Sequence, residues 1–384
     1  MAVPPCDNHA MAAYRSFVTP YLRFAFALLG VTALVSLWWV PRDTILRGRN
    51  DFVMLYAGSH LAGSRDLYNE RRMVEVERQT TGASGEALQF TRPPYYALLL
   101  RPLSSLPYRF AYPLWQLLSL AAVVAFVRLW RWTPRWPAIW ACSWSLPLSA
   151  CFAQGQDCTF LLVWIAIVVR FYKERPLIAG LAFALCAAKF HLFLPVPILI
   201  AMQQRWRLAC GFLAGAGALV ALSFLSYGPA WPADYLRLVG SNKISPGVSI
   251  MPNLHGLLDG VPHAGLLEIV LGVLTAVAVA AAARSSSFEQ ALAATLVGGL
   301  LVSNHAYPAD GVILIPALLL ILSGSQNASL RTIALALLTP IAWIGCIVGG
   351  MPMTLLHLSL VALVVALAIQ GHRPDARIVR SPMQ

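Results

Sequence analysis

The chain has 384 residues, of which 58% are hydrophobic and 11% are charged, and its formal net charge is +12. A soluble domain carries about 25% charged residues, so this composition excludes an ordinary soluble protein. The excess of positive charge does not indicate nucleic-acid binding, because the basic residues stand in short runs between apolar stretches. The composition therefore predicts an all-α polytopic membrane protein.

Apolar stretches of roughly the 20 residues that a transmembrane helix needs recur along the chain. We predict about 10 spans in a single transmembrane domain over residues 1–384, at residues 22–41, 109–130, 137–152, 157–172, 208–226, 264–283, 288–302, 311–324, 331–349 and 353–371. Residues 177–201 contain Lys189 and two prolines and lie between two basic loops. We predict that they form a broken helical hairpin that enters and leaves on the same face.

The basic residues predict the orientation of these spans. If the N-terminus is cytoplasmic, many of them fall in short cytoplasmic loops, at Arg128, Arg131, Arg135, Arg170, Lys173, Arg175, Arg205, Arg207, Arg284 and Arg331. The C-terminal tail, which is then also cytoplasmic, adds Arg373, Arg377 and Arg380. The outer loops after the first contain only Arg237 and Lys243. By the positive-inside rule, both termini are cytoplasmic, as in a multi-pass protein of the plasma or inner membrane.

Two outer segments are long, and the first of them is too long to be a simple connector. The first covers residues 42–108, and its part at 42–93 has apolar and aromatic residues at helical spacing. This pattern predicts helices that lie on the membrane surface. The double proline at residues 93–94 predicts the start of another short helix, which Pro102 would break or end. The second outer loop, residues 227–263, is rich in Pro and Gly, and we predict that it is irregular.

Polar and ionisable residues near membrane depth are costly, so each of them needs a reason. Asp51 follows the first span, where it either serves chemistry at a packed interface or merely caps the next helix. Arg92 precedes the double proline, where it binds an anion or reaches to lipid headgroups. Gln156 lies in the motif AQGQDC, which suits sugar hydroxyls but is equally typical of a polar turn.

Two further groups complete the set. Lys189 and His191 stand in the apolar hairpin, where a phosphate is a suitable partner and reach to an interface is the weaker alternative. His305 and Asp310 lie in the outer motif SNHAYPAD. They either share a cavity with Asp51 or form a polar loop in which the carboxylate caps the following helix.

The remaining motifs indicate no metal or cofactor. The sequence has no paired-histidine spacing, no EF-hand and no nucleotide-binding fingerprint. Cys151 and Cys158 flank one outer turn, and we predict a non-bonded pair rather than a disulfide.

Five pieces of sequence in a fixed order resemble glycosyltransferase family 87, a group of GT-C enzymes that use polyprenyl-phosphate sugars, typically mannose or arabinofuranose. The resemblance covers about residues 51–324. The pieces read DFVMLYAGSHLAGSRDLY, RPPYYALLLRPLSSLPYRFAYPLW, GQDC, RPLIAGLAFALCAAKFHLFLPVPILI with RWR, and SNHAYPADGVILIPALLL.

The resemblance implies a GT-C-like fold and an enzyme that transfers a hexosyl or pentosyl group to a glycolipid or glycan acceptor outside the cell. Asp51 falls on the family's acidic residue, which is implied to be the catalytic base. Gln156, Lys189, His191 and Asp310 fall on further family positions, with His305 just upstream of the last. Together with Arg92, which is a candidate from its own position in the sequence, they are expected to bind the donor's phosphate or sugar. No sugar nucleotide is available outside the cell, so the donor is expected to be carried in the lipid.

The chain also departs from the family pattern. Arg92 stands where an aromatic residue is usual, and Asp157 stands where Asn is common. Phe190 and Ala309 take positions where Pro and Tyr are usual. These differences concern the donor and the substrate more than the fold.

A transporter or flippase of lipid-linked saccharides is the alternative function. It would also need intramembrane Lys and His residues beside a cavity open to lipid. Transporters often contain paired repeats with broken helices in corresponding positions, whereas this chain has one broken hairpin and no repeat. The sequence therefore favours the transferase.

Overall fold

The structure is a computed structural model that describes residues 8–82, 88–241 and 247–371. All regular elements among these residues are helical, as the composition predicts. The α-helices are α1 Asn8–Leu37, α2 Arg42–Leu46, α3 Phe52–His60, α4 Glu70–Thr81, α5 Pro94–Ser104, α6 Tyr108–Leu129, α7 Arg135–Ser143, α8 Leu146–Gln154, α9 Cys158–Phe171, α10 Pro176–Leu185, α11 Val196–Met202, α12 Trp206–Tyr227, α13 Trp231–Val239, α14 Leu254–Leu257, α15 Ala264–Ser285, α16 Phe288–Val302, α17 Leu314–Gly324, α18 Ala328–Leu337, α19 Gly345–Val348 and α20 Gly350–Gly371. Four 3-10 helices are described at Cys186–Phe193, Val248–Ile250, Pro308–Ile313 and Pro340–Trp343.

Six helices within the described residues are long and apolar enough to cross a membrane: Thr19–Leu37, Tyr108–Leu129, Pro176–Phe193, Trp206–Tyr227, Ala264–Ser285 and Gly350–Gln370. A pair of helices bent by 70° at residues 328–348 makes a seventh if it counts as one span. Three further apolar helices, at Cys158–Phe171, Phe288–Val302 and Pro308–Gly324, are shorter. The predicted count of about 10 spans is therefore not confirmed, because several predicted spans fold as short or bent helices.

The segment predicted as a hairpin leaves one end of the molecule and returns to it. It consists of α10, the 3-10 helix Cys186–Phe193 and α11. The Arg205 guanidinium that follows the segment lies 5.3 Å from the ring centroid of Tyr172, which precedes it. The backbones of α10 and α12 touch, since a Cβ at Gly180 would lie 2.2 Å from the Leu208 carbonyl oxygen.

The helices connect two ends of the molecule, which we call the arginine end and the site end. At the arginine end, Arg205 packs over the rings of Tyr172 and Phe288, where α9 finishes and α16 begins. At the site end, the turn at Gly155 meets the start of α3. The basic C-terminal tail and Lys243 lie outside the described residues.

The first outer segment is helical, as predicted, but α3 does not lie on the surface. Phe52 through Ser59 are buried, against the prediction of a surface helix. The reason is that α3 is apolar on all sides, and such a helix stabilises the fold only when it is enclosed. Helix α4 is amphipathic and partly exposed, while α5 begins at Pro94 and continues through Pro102 to Ser104.

The second outer loop is not irregular throughout, so that prediction is partly wrong. It contains α13, the short α14 and a 3-10 turn. Tyr235 on α13 is buried, and its ring centroid lies 5.6 Å from that of Tyr68. Aromatic packing against the first outer segment thus gives this helix a buried face.

Candidate active site

Asp51 immediately precedes α3, but its side chain does not cap the helix. Asn50 takes the capping role instead, because its Oδ1 accepts a hydrogen bond of 3.2 Å from the Phe52 amide. The Asn50 amide also donates to the Ala153 carbonyl at 3.1 Å, which ties this corner to α8. The Asp51 carboxylate is left to accept a hydrogen bond from the Gln156 side-chain amide.

Gly155 makes the contact between Gln156 and Asp51 possible. Its φ of +64° lies in the left-handed region, where an L side chain is strained. The space is also closed, since a Cβ here would lie 2.7 Å from the Phe52 Cβ. Trp115 donates to the Gly155 carbonyl at 2.9 Å and holds the turn in place. The turn therefore presents Gln156 to Asp51.

We expect Gly155→Ala to lower the free energy of unfolding by about 1–2 kcal/mol from backbone strain alone. The added Cβ also pushes Phe52 away and moves Asp51, so activity should fall as well. The matched control is Gly217→Ala in α12, where a Cβ meets no atom within 4 Å. Thermal unfolding in one detergent checks both variants. Equal melting temperatures for the two would contradict this account of the turn.

Lys189 approaches the same glutamine from the apex of the hairpin. Its backbone is kinked within the 3-10 helix, with φ −125° and ψ 54°. The ammonium donates to Gln156 Oε1 at 2.9 Å and to Asp310 Oδ1 at 2.5 Å. It also lies 3.6 Å from Asp157 Oδ1. A lysine whose side chain is only 4% exposed is thus fully paired, as a buried charge requires.

Arg92 forms the second cationic contact. Its Nε and Nη2 donate to the two carboxylate oxygens of Asp157, each at 2.9 Å. The two side chains are 3% and 2% exposed. Nη2 also reaches Gln156 Oε1 at 3.3 Å. Two of the four positions expected to depart from the family pattern, Arg92 and Asp157, are therefore partners whose charges neutralise each other.

Asp310 combines the two roles that the sequence left open. Its Oδ2 accepts a hydrogen bond of 2.8 Å from the amide of Tyr307, the residue before the 3-10 helix Pro308–Ile313, and so caps the start of the helix that contains Asp310. Its Oδ1 faces Lys189. The carboxylate is therefore both a local cap and a partner in the charged cluster.

Two histidines and a tyrosine lie beside this cluster. The ring centroids of His191 and His305 are 6.2 Å apart, and those of His305 and Tyr307 are 5.1 Å apart. The His191 Nε2 atom is buried without a hydrogen-bond partner. Burial is the main cause that lowers the pKa of His305 to about 4. The Asp310 carboxylate opposes this shift, and the positive charges of Lys189 and Arg92 add to it. His305 is therefore neutral at pH 7.

The ionised groups of the cluster leave no surplus positive charge. Two cations, Arg92 and Lys189, face three carboxylates, those of Asp51, Asp157 and Asp310. Burial raises the pKa of Asp51 above its model-compound value of 3.8, and this effect outweighs the hydrogen bond from Gln156 and the charge of Lys189. Such an aspartate holds a proton more readily than an exposed one, which suits a general base.

The structure brings together all seven residues that the sequence selected. Asp51, Gln156, Lys189, Arg92 and Asp310 are linked by hydrogen bonds, and His191 and His305 lie beside them. Asp157 and Tyr307 also belong to the cluster, although they are not among the seven residues predicted from the sequence. Asp157 could have been found by pairing it with Arg92, because both are expected departures from the family pattern. Tyr307 could have been suggested by its closeness to Asp310 in the same motif.

The cysteines and the acidic groups do not form a further centre. Cys151 and Cys158 are free, as predicted, and their thiols donate to the Gln156 carbonyl at 3.3 Å and to Asp310 Oδ1 at 3.5 Å. In the parts of the chain that the structure covers, no group of three or more His, Cys, Asp or Glu side chains could hold a metal ion.

A helical fold with apolar spans and a charged cluster buried at one end defines an integral membrane protein with a polar site. The profile of glycosyltransferase family 87 matches residues 90–316, more than half of the chain. The chain therefore belongs to glycosyltransferase family 87, and it is a membrane glycosyltransferase. No curated protein and no solved structure matches it. The GT-C architecture implied by the resemblance stays a prediction.

Proposed function

We propose that the chain transfers a sugar from a polyprenyl-phosphate donor to a glycolipid or glycan acceptor on the extracytoplasmic side of the membrane. Asp51 is the general base, and the anomeric carbon is inverted. The observation that supports this proposal is the contact chain from Asp51 through the Gln156 amide to Lys189 and Arg92. It joins the proposed proton acceptor to the two buried cations beside which the donor phosphate would bind.

The reaction would proceed in one displacement. The acceptor hydroxyl gives its proton to the Asp51 carboxylate while its oxygen forms a bond to the anomeric carbon. The bond between that carbon and the phosphate oxygen breaks, and its electron pair leaves with the lipid phosphate. Because a phosphate is a good leaving group, no strong general acid is needed.

The two buried cations would act mainly by holding other groups of the site in place. Arg92 and Lys189 are already neutralised by Asp157 and Asp310, so they hold Gln156 and, through it, Asp51. Because the ionised cluster has no surplus positive charge, hydrogen-bond donors would stabilise the negative charge that develops on the leaving phosphate. His305, which is neutral, and His191, whose Nε2 lacks a partner, would donate hydrogen bonds to the phosphate or sugar.

The extracytoplasmic placement rests on charge. Basic residues of the short loops, among them Arg170, Arg175 and Arg205, pack on aromatic rings at the arginine end. The candidate site lies at the other end, beside the outer segments. A site at the outer surface fits a donor that is delivered in the lipid. The prenyl chain would lie between helices, in contact with the bilayer.

The raised pKa of Asp51 predicts that the transfer rate falls at acidic pH. The base works only when it is ionised, so activity should fall as the pH drops through its pKa. Because burial places that pKa above 3.8, the fall should begin at a higher pH than an exposed aspartate would give. The dependence of kcat/KM on pH, measured between pH 4 and pH 8 with one donor, checks this. A rate that stays constant down to about pH 4 would contradict a carboxylate base with a raised pKa.

The proposed donor is tested with purified full-length protein in detergent. The protein is incubated with radiolabelled polyprenyl-phosphate mannose, arabinose and glucose in turn, together with a membrane glycolipid extract. Labelled product from one donor identifies the sugar. A matched reaction with the corresponding sugar nucleotide should give none, and product from the nucleotide alone would overturn the lipid-linked donor.

A further inference from the structure

A groove of about 580 Å³ opens between α1 and α7, and none of its lining residues belongs to the candidate active site. It lies towards the arginine end, where the Lys173 ammonium is 5.8 Å from the ring centroid of Trp132. Its walls are apolar, with Phe24 and Ala27 on α1 and Ile139 on α7. Phe24 is 69% exposed, so its ring faces the surroundings of the protein. In a membrane, these surroundings are lipid. The groove is therefore a place for an acyl chain rather than for water.

Two arginines stand at this groove, one from each helix. The guanidinium of Arg23 lies 5.8 Å from the ring centroid of Trp136, and Arg135 precedes that tryptophan. Neither arginine takes part in any ion pair found among the described residues. Two uncompensated cations beside an apolar groove are complementary to a ligand with an anionic head and an apolar tail.

The local backbone adds to this complementarity. Arg135 is the first residue of α7, which has no acidic residue in its first turn and no side-chain cap. Free amide groups at a helix start favour an anion. A cation at that position is unfavourable by itself, because it repels the positive end of the helix dipole. An anion between the two arginines would relieve this repulsion.

A second groove provides a comparison. It runs along α6 beside Arg128 and is lined by residues of that helix alone. It contains one arginine, and none of the other described helices lines it. An arginine of this kind needs only to reach the headgroup region. The groove between α1 and α7 differs because two helices and two charges converge on it.

We propose that the groove between α1 and α7 binds one anionic phospholipid. Its phosphate would lie between Arg23 and Arg135, and an acyl chain would follow Phe24, Ala27 and Ile139. Basic pockets between transmembrane helices bind anionic headgroups in this way. The site is separate from the proposed transfer reaction and does not depend on it.

The test is native mass spectrometry of the full-length protein after removal of co-purified lipid. The protein is titrated with phosphatidylglycerol and, separately, with phosphatidylcholine of the same acyl chains. The wild type should retain phosphatidylglycerol in preference to phosphatidylcholine. The variant Arg23→Gln/Arg135→Gln should bind phosphatidylglycerol about tenfold to thirtyfold more weakly, as expected for the loss of two charges. The control Arg128→Gln should keep the preference.

Several results would overturn the proposal. Equal retention of the two lipids by the wild type would exclude an anion-selective site, whatever the variants do. The same loss in Arg128→Gln as in the double variant would show a general effect of charge. Competition by inorganic phosphate at concentrations similar to those of the lipid would indicate a site for a free anion. The single variant Arg23→Gln repeats the test if the double variant does not fold.

Discussion

Replacing Asp51 with Asn is expected to lower kcat by about 10²–10⁴-fold, the usual contribution of a general base. Asn keeps the size of the side chain and an oxygen that can accept the hydrogen bond from Gln156. It cannot take the proton of an acceptor hydroxyl. Binding of the donor should therefore be unchanged. Single-turnover transfer and donor binding, measured on the same preparation, check the two statements separately.

This substitution should not destabilise the protein, which separates a catalytic role from a structural one. Burial raises the pKa of Asp51, so at neutral pH its ionised form disfavours folding. Removing the charge should leave the melting temperature unchanged or raise it. The matched control is Asp43→Asn on α2, an exposed carboxylate close by in the sequence, which should keep full activity. Transfer by Asp51→Asn at the wild-type rate would refute its assignment as the base.

Replacing Arg92 with Gln is expected to lower the free energy of unfolding by about 3–5 kcal/mol. The substitution leaves the Asp157 carboxylate buried at 2% exposure without its main partner. Lys189, at 3.6 Å and already bound to Asp310, compensates only in part. Activity should fall too, because Gln156 loses one of the two cations that fix it. Thermal or denaturant unfolding in detergent measures the loss.

The double variant Arg92→Gln/Asp157→Asn should recover most of this stability, because no unpaired charge then stays buried. The non-additivity of the two substitutions gives the coupling energy of the pair. Arg101→Gln is the control, since Arg101 is exposed on the neighbouring helix α5. If the single and the double variant lose equal stability, the pair does not act as a unit.

Local chemistry explains the parts of the fold that could be predicted from sequence. A double proline starts α5, because the first turn of a helix does not use the amide protons that proline lacks. The long apolar stretches of the sequence predict the helices that are long enough to cross a membrane. The buried position of α3 could also have been inferred, because a helix without a polar face belongs inside.

The arrangement of the candidate site depends on contacts that no local pattern specifies. Arg92 and Asp157 are 65 residues apart in sequence, and Lys189 and Asp310 are 121 apart. Their pairing follows from how α9, the hairpin and the 3-10 helix at Pro308–Ile313 pack together. Resemblance to a family selected most of these residues, but it could not show that the cations are already neutralised. For the same reason the neutral state of His305 could not be foreseen.

We expect the buried cluster to serve the transfer of a sugar and not its transport. The most direct measurement is the intact mass of the glycolipid acceptor after incubation with polyprenyl-phosphate sugar and the purified protein in detergent, where no membrane separates two compartments. We expect the acceptor to gain the mass of one sugar residue with the wild type and not with Asp51→Asn. An acceptor of unchanged mass, together with movement of intact donor across proteoliposomes by the same preparation, would contradict the claim and indicate a flippase.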